Sequence, residues 1–400
     1  MKSNFKLFTF FVFTLLVIPF YLTIAQNANN KDDVIITKVE IYKANIMLKT
    51  PYAIAAGTIS TAEAVFIKIF TNTNIYGVGE SNPLTVLQGE TQETNISMAK
   101  LFAKTIMGKD PRAIERRLQE INAITPLHNG IKSAFDMALY DIASKLAGMP
   151  LYRFLGGNND KYIYPGATVY LDTPEIMADK ALREVKRGFT TIKVKLGAAE
   201  NDIERIKAIR EKIGYEVPIY VDANQGWNES EAIKILRGIE KYNIEYAEQP
   251  LPKDDIDGMA RVTLNSPIPI MADESVFDHR DAMRCTKHNA CNFINIKLSK
   301  SGGIYNALKI AAIAESSDMI CQVGCMSETR LGLTALVHFA LANKMIQRYD
   351  IDSDLLFKDD PTIGGIKRGN DLSWEIPEAN GLGADIDEEF LKSAEKFVVE

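Results

Sequence analysis

The segment Thr191-Ile-Lys-Val-Lys-Leu-Gly197 reads as a short β-strand that ends on a charge and is stopped by a glycine. The same design recurs along the second half of the chain. Candidate strands are Ile163–Leu171, Thr191–Leu196, Ile219–Ala223, Ile244–Glu248, Ile268–Ala272, Phe293–Leu298, Met319–Val323 and Met345–Asp350. Between them, Pro174–Arg187, Ala199–Lys212, Glu229–Tyr242 and Ala307–Ser317 carry apolar residues at spacings of three and four, the period of a helix with one buried face. Eight strand–helix units in about 200 residues predict a (β/α)8 barrel of the TIM type rather than an open doubly wound sheet. No Gly-x-Gly-x-x-Gly follows an early strand, so a dinucleotide site has no support.

The charges repeat on the same period. Lys195, Asp222, Glu248, Asp273 and Lys297 are separated by 27, 26, 25 and 24 positions. The series runs back to Thr168 and on to Gly324 and Asp350. Each falls at or just beyond the C-terminal end of a predicted strand. In a barrel those ends open on one mouth, where active sites are built. A charge at one strand end is ordinary solvation; five in matching phase point to a site.

Three carboxylates without histidines suit a hard divalent cation held by oxygen, and Mg2+ leaves positions for a substrate carboxylate. Unpaired, they would repel one another and shift upward in pKa. Lys195 and Lys297 lie on strands before and after the carboxylates. Lys193 shares a strand face with Lys195 and can supply, together with the metal, positive charge beside it. A carboxylate held by a metal between two bases is what proton abstraction α to that carboxylate requires. One lysine removes the proton, the metal stabilises the enediolate, and the other lysine returns a proton to the opposite face.

These residues resemble the enolase superfamily, muconate-lactonizing subgroup. The segments that carry the resemblance are Thr191–Gly197, Val221-Asp-Ala-Asn-Gln-Gly-Trp227, Glu248-Gln-Pro250, Ala272-Asp-Glu-Ser275 and Ile294-Asn-Ile-Lys-Leu-Ser-Lys-Ser-Gly-Gly303. The resemblance implies an α/β fold, a barrel at 160–365 with an N-terminal α+β capping domain at 34–155, completed by the C-terminal segment 366–400. Gly77-Val-Gly-Glu80 and Ala134–Leu146 look like parts of that cap. It also implies Lys195 and Lys297 as the acid/base pair and Asp222, Glu248 and Asp273 as ligands of one Mg2+ per subunit. Asn224 would support the ligands, and Lys193 would assist Lys195 and the substrate carboxylate.

Within the subgroup the chain looks like a dipeptide epimerase, an isomerase acting at the α-carbon of the C-terminal residue of L-Ala-L/D-Xaa. Asp350-Ile-Asp352 resembles the Asp-x-Asp that binds the amino-terminal ammonium in that group. Thr168 and the segment Gly324-Cys325-Met326-Ser327-Glu328 resemble regions that contact the dipeptide. Epimerases of the Ala-Glu type place an arginine in the capping loop, here Thr50–Thr58, but no arginine stands between Pro51 and Phe66. An unpaired buried acidic side chain would be excluded, so a hydrophobic Xaa is expected. Tyr170, where glycine is common, would narrow the pocket. The alternatives are an L-Ala-D/L-Glu epimerase, an N-acylamino acid racemase or an o-succinylbenzoate synthase-like lyase. An exported peptide-binding protein on a decayed scaffold is opposed by the intact lysine and carboxylate set.

The whole-chain arithmetic agrees. Among 400 residues, 46 Lys+Arg against 52 Asp+Glu give a net charge of −6, which argues against a nucleic-acid partner. Hydrophobic residues at 46% and charged ones at 24% exclude a disordered chain. Lys2 and Lys6 precede an uncharged run, Leu7–Ala25, with a cleavage site expected before Gln26. That reads as an export signal over residues 1–25, placing the protein in the periplasm; an uncleaved N-terminal anchor is the rival. No other membrane contact is expected, and a homo-oligomer is left open. The four cysteines read as packing residues or free thiols. None of His128, His279, His288 or His338 falls on the barrel phase; His338 reads as core or interface. Trp227 is expected to pack at the barrel rim. Glu328 either supports Lys297 or the substrate, or starts a helix.

Overall fold

The computed structural model describes residues 33–400; the leader read over residues 1–25 lies outside them. Three antiparallel strands come first, β1 (Ile36–Ile54), β2 (Gly57–Thr71) and β3 (Tyr76–Ser81). The C-terminal strand Glu395–Val399 adds to the outer edge of β1, so the two ends of the described chain meet in one sheet. The helix Asn129–Leu146 lies flat on β3. Gly77 and Gly79 make that possible: a Cβ on either would sit 2.0 or 1.9 Å from the carbonyl oxygens of Ala138 and Ala134.

Eight parallel strands then follow one another around a single sheet in sequence order. They are β4 (Ala167–Val169), β5 (Ile192–Lys195), β6 (Ile219–Asp222), β7 (Ile244–Glu248), β8 (Ile270–Ala272), β9 (Phe293–Ile296), β10 (Cys321–Gly324) and β11 (Ile346–Asp350). This is the expected barrel. Alternation along β5 explains how one strand serves both core and mouth: Ile192 and Val194 point one way, Lys193 and Lys195 the other, and all are buried. Each fully buried aliphatic side chain of this kind stabilises the fold by roughly 1.5–3 kcal/mol.

The intervening helices start and stop on local chemistry. In Pro174–Arg187, the Thr173 side chain accepts from Ile176 N–H, proline fills the first turn and Gly188 ends the helix in the left-handed region. Its buried face is Met177, Ala178 and Ala181.

Several boundaries shift by one to four residues from expectation, two of them for a local reason. Ile163 is not in the barrel: Pro165 breaks the run, and Ile163 bonds Trp374 instead, accepting from its N–H at 2.8 Å. The helix expected from Ala199 begins at Asp202, because Ala199 and Asn201 take left-handed φ while the Asp202 carboxylate accepts from Gly197 and Ala199 N–H.

The circle closes thinly. Between β11 and β4 the ladder is replaced by Gly166 N–H donating to Tyr349 O at 3.4 Å and Thr168 N–H donating to Asp352 Oδ2 at 2.8 Å. The antiparallel layer is clamped to the barrel by buried acids at helix starts. Glu80 accepts from Thr329 and Gly332 N–H, and Asp136 from Ile304 and Tyr305 N–H. No helix among the described residues is long and apolar enough to cross a membrane.

Candidate active site

The spaced residues all reach one end of the barrel. Thr168 lies in β4, Lys195, Asp222, Glu248, Gly324 and Asp350 close their strands, and Asp273 and Lys297 stand one residue past β8 and β9. Register makes neighbours of them: Lys195 faces Asp222, Asp222 faces Glu248, and Gly324 faces Asp350. Glycine at 324 leaves room for Asn295, whose amide would lie 2.6 Å from a Cβ there and which donates to Glu248 Oε1 at 2.7 Å.

The ammonium groups are threaded through the carboxylates. Lys195 Nζ lies 2.7 Å from Asp222 Oδ2 and donates to Asn224 Oδ1 at 2.9 Å. Lys193 Nζ lies 2.9 Å from Asp222 Oδ2, 3.0 Å from Glu248 Oε2 and 2.5 Å from Asp350 Oδ2. On the far side Lys297 Nζ is 2.7 Å from Asp273 Oδ2. Lys195 and Lys297 therefore flank the three carboxylates from opposite ends of a five-strand run, β5 to β9.

The electrostatics follow. Burial opposes ionisation of Asp222, but Lys193 and Lys195 outweigh it and hold the carboxyl down at about 2. Burial also opposes ionisation of Asp273, and Lys297 and Lys300 keep it well below the carboxylate range. Glu248 is driven up to about 8 by burial and then by repulsion from Asp222. Burial lowers Lys297, yet Asp273 and Glu248 push it above the ordinary lysine value.

Three residues of this network escaped the sequence reading. Lys300, fully buried, donates to Asp273 Oδ1 at 2.6 Å and to the Asp273 and Asn295 carbonyls. Asn295 holds Glu248. Glu274 accepts from Asn224 Nδ2 at 3.0 Å, and its other oxygen has no hydrogen-bond partner among the described residues. All three sit inside the quoted segments, one to three positions off the barrel phase.

Asp222, Glu248 and Asp273 fit a hard divalent cation: three buried oxygen donors on adjacent strand ends, close enough that Asp222 and Asp273 raise the pKa of Glu248. In the described conformation the carboxylates turn to the lysines, and no three acidic, His or Cys side chains among the described residues converge as ready-made ligands.

The substrate side differs in detail. Asp350 is engaged by Lys193 and by Tyr220 OH at 3.2 Å. Asp352 accepts from Thr168 N–H and, among the described residues, pairs with no cation. Burial and then Asp350 raise the Asp352 carboxyl to about 6. Cys325 and Met326 line a cavity of about 40 Å3 above the lysines. Met326 Sδ is 3.9 Å from Lys297 Nζ. Ser327 does not line it; its hydroxyl instead pairs with Tyr52 OH at 2.8 Å, tying the β1–β2 hairpin to the barrel. The apolar wall is Ile54, Leu84, Leu87 and Met326, and among the described residues the only cations on the cavity are Lys193, Lys195 and Lys297.

Glu328 accepts from Ser299 Oγ–H and Met326 N–H, behind the cavity wall. His338 is buried: its Nδ1 accepts from Tyr152 N–H, Nε2 bonds Leu382 O, and burial lowers its pKa to about 4. Trp227 is buried and donates to Asp202 at 2.8 Å. All four cysteines are free thiols.

Residues 36–156 match the family Mandelate racemase / muconate lactonizing enzyme, N-terminal domain, and residues 176–390 match Enolase C-terminal domain-like. The D-Ala-D/L-Ala epimerase of Cytophaga hutchinsonii is 42% identical, over 91% of this chain and 100% of its own. The hydrophobic dipeptide epimerase of Enterococcus faecalis is 39% identical, over 87% and 99%. The crystal structure of the dipeptide epimerase from Cytophaga hutchinsonii complexed with Mg and D-Ala-L-Val superposes with a TM-score of 0.90 at 41% identity, covering 92% of this chain and 100% of that one. Such relatives are isomerases acting on amino-acid derivatives. The chain belongs to the mandelate racemase / muconate lactonizing enzyme family of the enolase superfamily.

Proposed function

We propose that the protein is a Mg2+-dependent dipeptide epimerase that inverts the α-carbon of the C-terminal residue, with a hydrophobic residue favoured there. The observation that carries this is the pairing of Lys195 and Lys297 at opposite ends of the row Asp222, Glu248, Asp273. One amine, deprotonated, takes the α-proton; the other, protonated, delivers one to the opposite face, and exchange with solvent resets the pair. Asp222, Glu248 and Asp273 would hold the cation, which when bound neutralises them and stabilises negative charge developing on the substrate carboxylate.

Asp352, buried and paired with no cation among the described residues, receives the amino-terminal ammonium. Lys193 neutralises Asp350 beside it. The cavity wall of Ile54, Leu84, Leu87 and Met326 offers an apolar side chain contact and a carboxylate side chain no partner. The uncharged run Leu7–Ala25 supports export of the enzyme to the periplasm.

The test is L-Ala-L-Val with Mg2+ in D2O, followed by NMR. The expected result is loss of the valine α-proton signal and appearance of L-Ala-D-Val, absent in Lys195→Ala and Lys297→Ala. Turnover of N-acyl amino acids with none of dipeptides would overturn the reading.

A further inference from the structure

Two hollows of the molecule share one wall. The cavity above the lysines is about 40 Å3. Beyond it, between the β1–β2 hairpin and the helix Pro174–Arg187, lies a cleft of about 490 Å3. Tyr52, Thr168, Tyr170 and Asp352 line both. The two tyrosine rings stand against each other, centroids 4.4 Å apart and planes at 34°. Neither is loosely held. Tyr52 OH bonds Ser327 Oγ at 2.8 Å, and Leu171 N–H, next to Tyr170, donates to Ala53 O, next to Tyr52, at 3.2 Å.

We propose that this tyrosine pair is a partition that limits the amino-terminal residue of the substrate to a small side chain, with Tyr170 as the specificity-determining residue. The inference rests on the dipeptide reading and on Asp352 receiving the ammonium. The ammonium nitrogen is one bond from the first α-carbon, about 1.5 Å. The first side chain must therefore start beside Asp352, in the space its neighbours leave. Tyr170 is one of those neighbours, and it closes that space on the side where the larger cleft begins. A ring packed on a second ring, itself anchored by a hydrogen bond, does not swing aside without losing its aromatic contact. Alanine or glycine fits in front of the ring; leucine or phenylalanine does not. Removing the ring joins the two hollows and gives a long side chain somewhere to go.

The experiment measures kcat/KM for L-Ala-L-Val, L-Leu-L-Val and L-Phe-L-Val by α-proton exchange, in the wild type, Tyr170→Phe, Tyr170→Leu and Tyr170→Ala. The wild type is expected to prefer L-Ala-L-Val over L-Leu-L-Val by at least about 10-fold, the scale on which a pocket rejects extra methylenes. Tyr170→Phe keeps that order, and Tyr170→Ala brings the three substrates within about threefold of each other. A wild type that turns over all three alike overturns the partition. So does a Tyr170→Ala or Tyr170→Leu enzyme that keeps the wild-type preference. Should Tyr170→Ala fail to fold, the wild-type series and Tyr170→Leu decide. If no dipeptide turns over in the wild type, the proposed function itself falls; if dipeptides turn over without preference, only the partition does.

Discussion

Lys193 and Lys195 converge on one atom: their ammonium nitrogens lie 2.9 and 2.7 Å from Asp222 Oδ2. Two positive charges on one carboxylate oxygen can be told apart by what else each touches. Both line the cavity, but Lys195 donates to Asn224, whereas Lys193 is also bound to Glu248 and Asp350. Lys195→Ala is therefore expected to lower kcat by about 10^2–10^4, the usual contribution of a proton-transferring group. Its stability should change little by comparison.

Lys193→Met should show the opposite emphasis. It leaves Asp350 without its cation in a buried site, which costs about 3–5 kcal/mol. Urea denaturation should show a large drop in midpoint. A variant as stable as the wild type would mean that the Lys193–Asp350 pair contributes nothing to stability.

Asp352 gives a pH signature. Its carboxyl rises from 3.8 to about 6 on folding, through burial and then Asp350. A carboxyl raised in this way favours the folded state while protonated, and that contribution fades as pH climbs from about 4 through about 6. Asp352→Asn removes the penalty and is expected to be more stable than wild type at pH 7, on the order of 2 kcal/mol. The same variant should lose about 10^2 in kcat/KM, because the ammonium loses a charge-assisted bond. In the wild type kcat/KM should fall as pH drops through about 6. Urea titrations and pH–rate profiles of both proteins check this crossed pattern.

Asp136 caps the barrel helix Ile304–Ser316 from the neighbouring layer, accepting from Ile304 N–H at 2.6 Å and Tyr305 N–H at 3.1 Å. Asp136→Ala is expected to cost about 2 kcal/mol. Asp136→Asn, which keeps one of the two acceptor oxygens, should recover part of it. The comparison of the two urea midpoints is the measurement.

The proposed export signal is tested in cells. N-terminal sequencing of the exported protein should begin at Gln26. An intact chain recovered with the membrane fraction would establish the anchor instead.

How much of this was legible beforehand varies with the physics. The barrel and the six phased charges were, because a strand end is marked twice, by a β-branched run and by the charge that stops it. Val221-Asp-Ala-Asn gave Asp222 and Asn224 together. Lys300 was hidden because it lies in the turn after β9, where the chain leaves the strand period for the short helix Leu298–Ser301. No alternation survives there to say which way a side chain faces. Asn295 was hidden for another reason: it is on phase with its own strand but one layer below the charges, so its role depends on the gap left by Gly324 on the next strand. Ser327 was read as touching substrate, and only the path of the β1–β2 hairpin reveals Tyr52 as its partner.

A closed barrel has no exposed edge because every strand is paired on both sides. Here the last seam is held by one long backbone bond and by the Asp352 carboxylate on Thr168 N–H. The protein has set its proposed ammonium receptor into the fastening of its own ring. Selection on substrate preference at position 352 is thus never free. A replacement that recognises a different group must also accept the Thr168 amide, or the ring opens where it is thinnest.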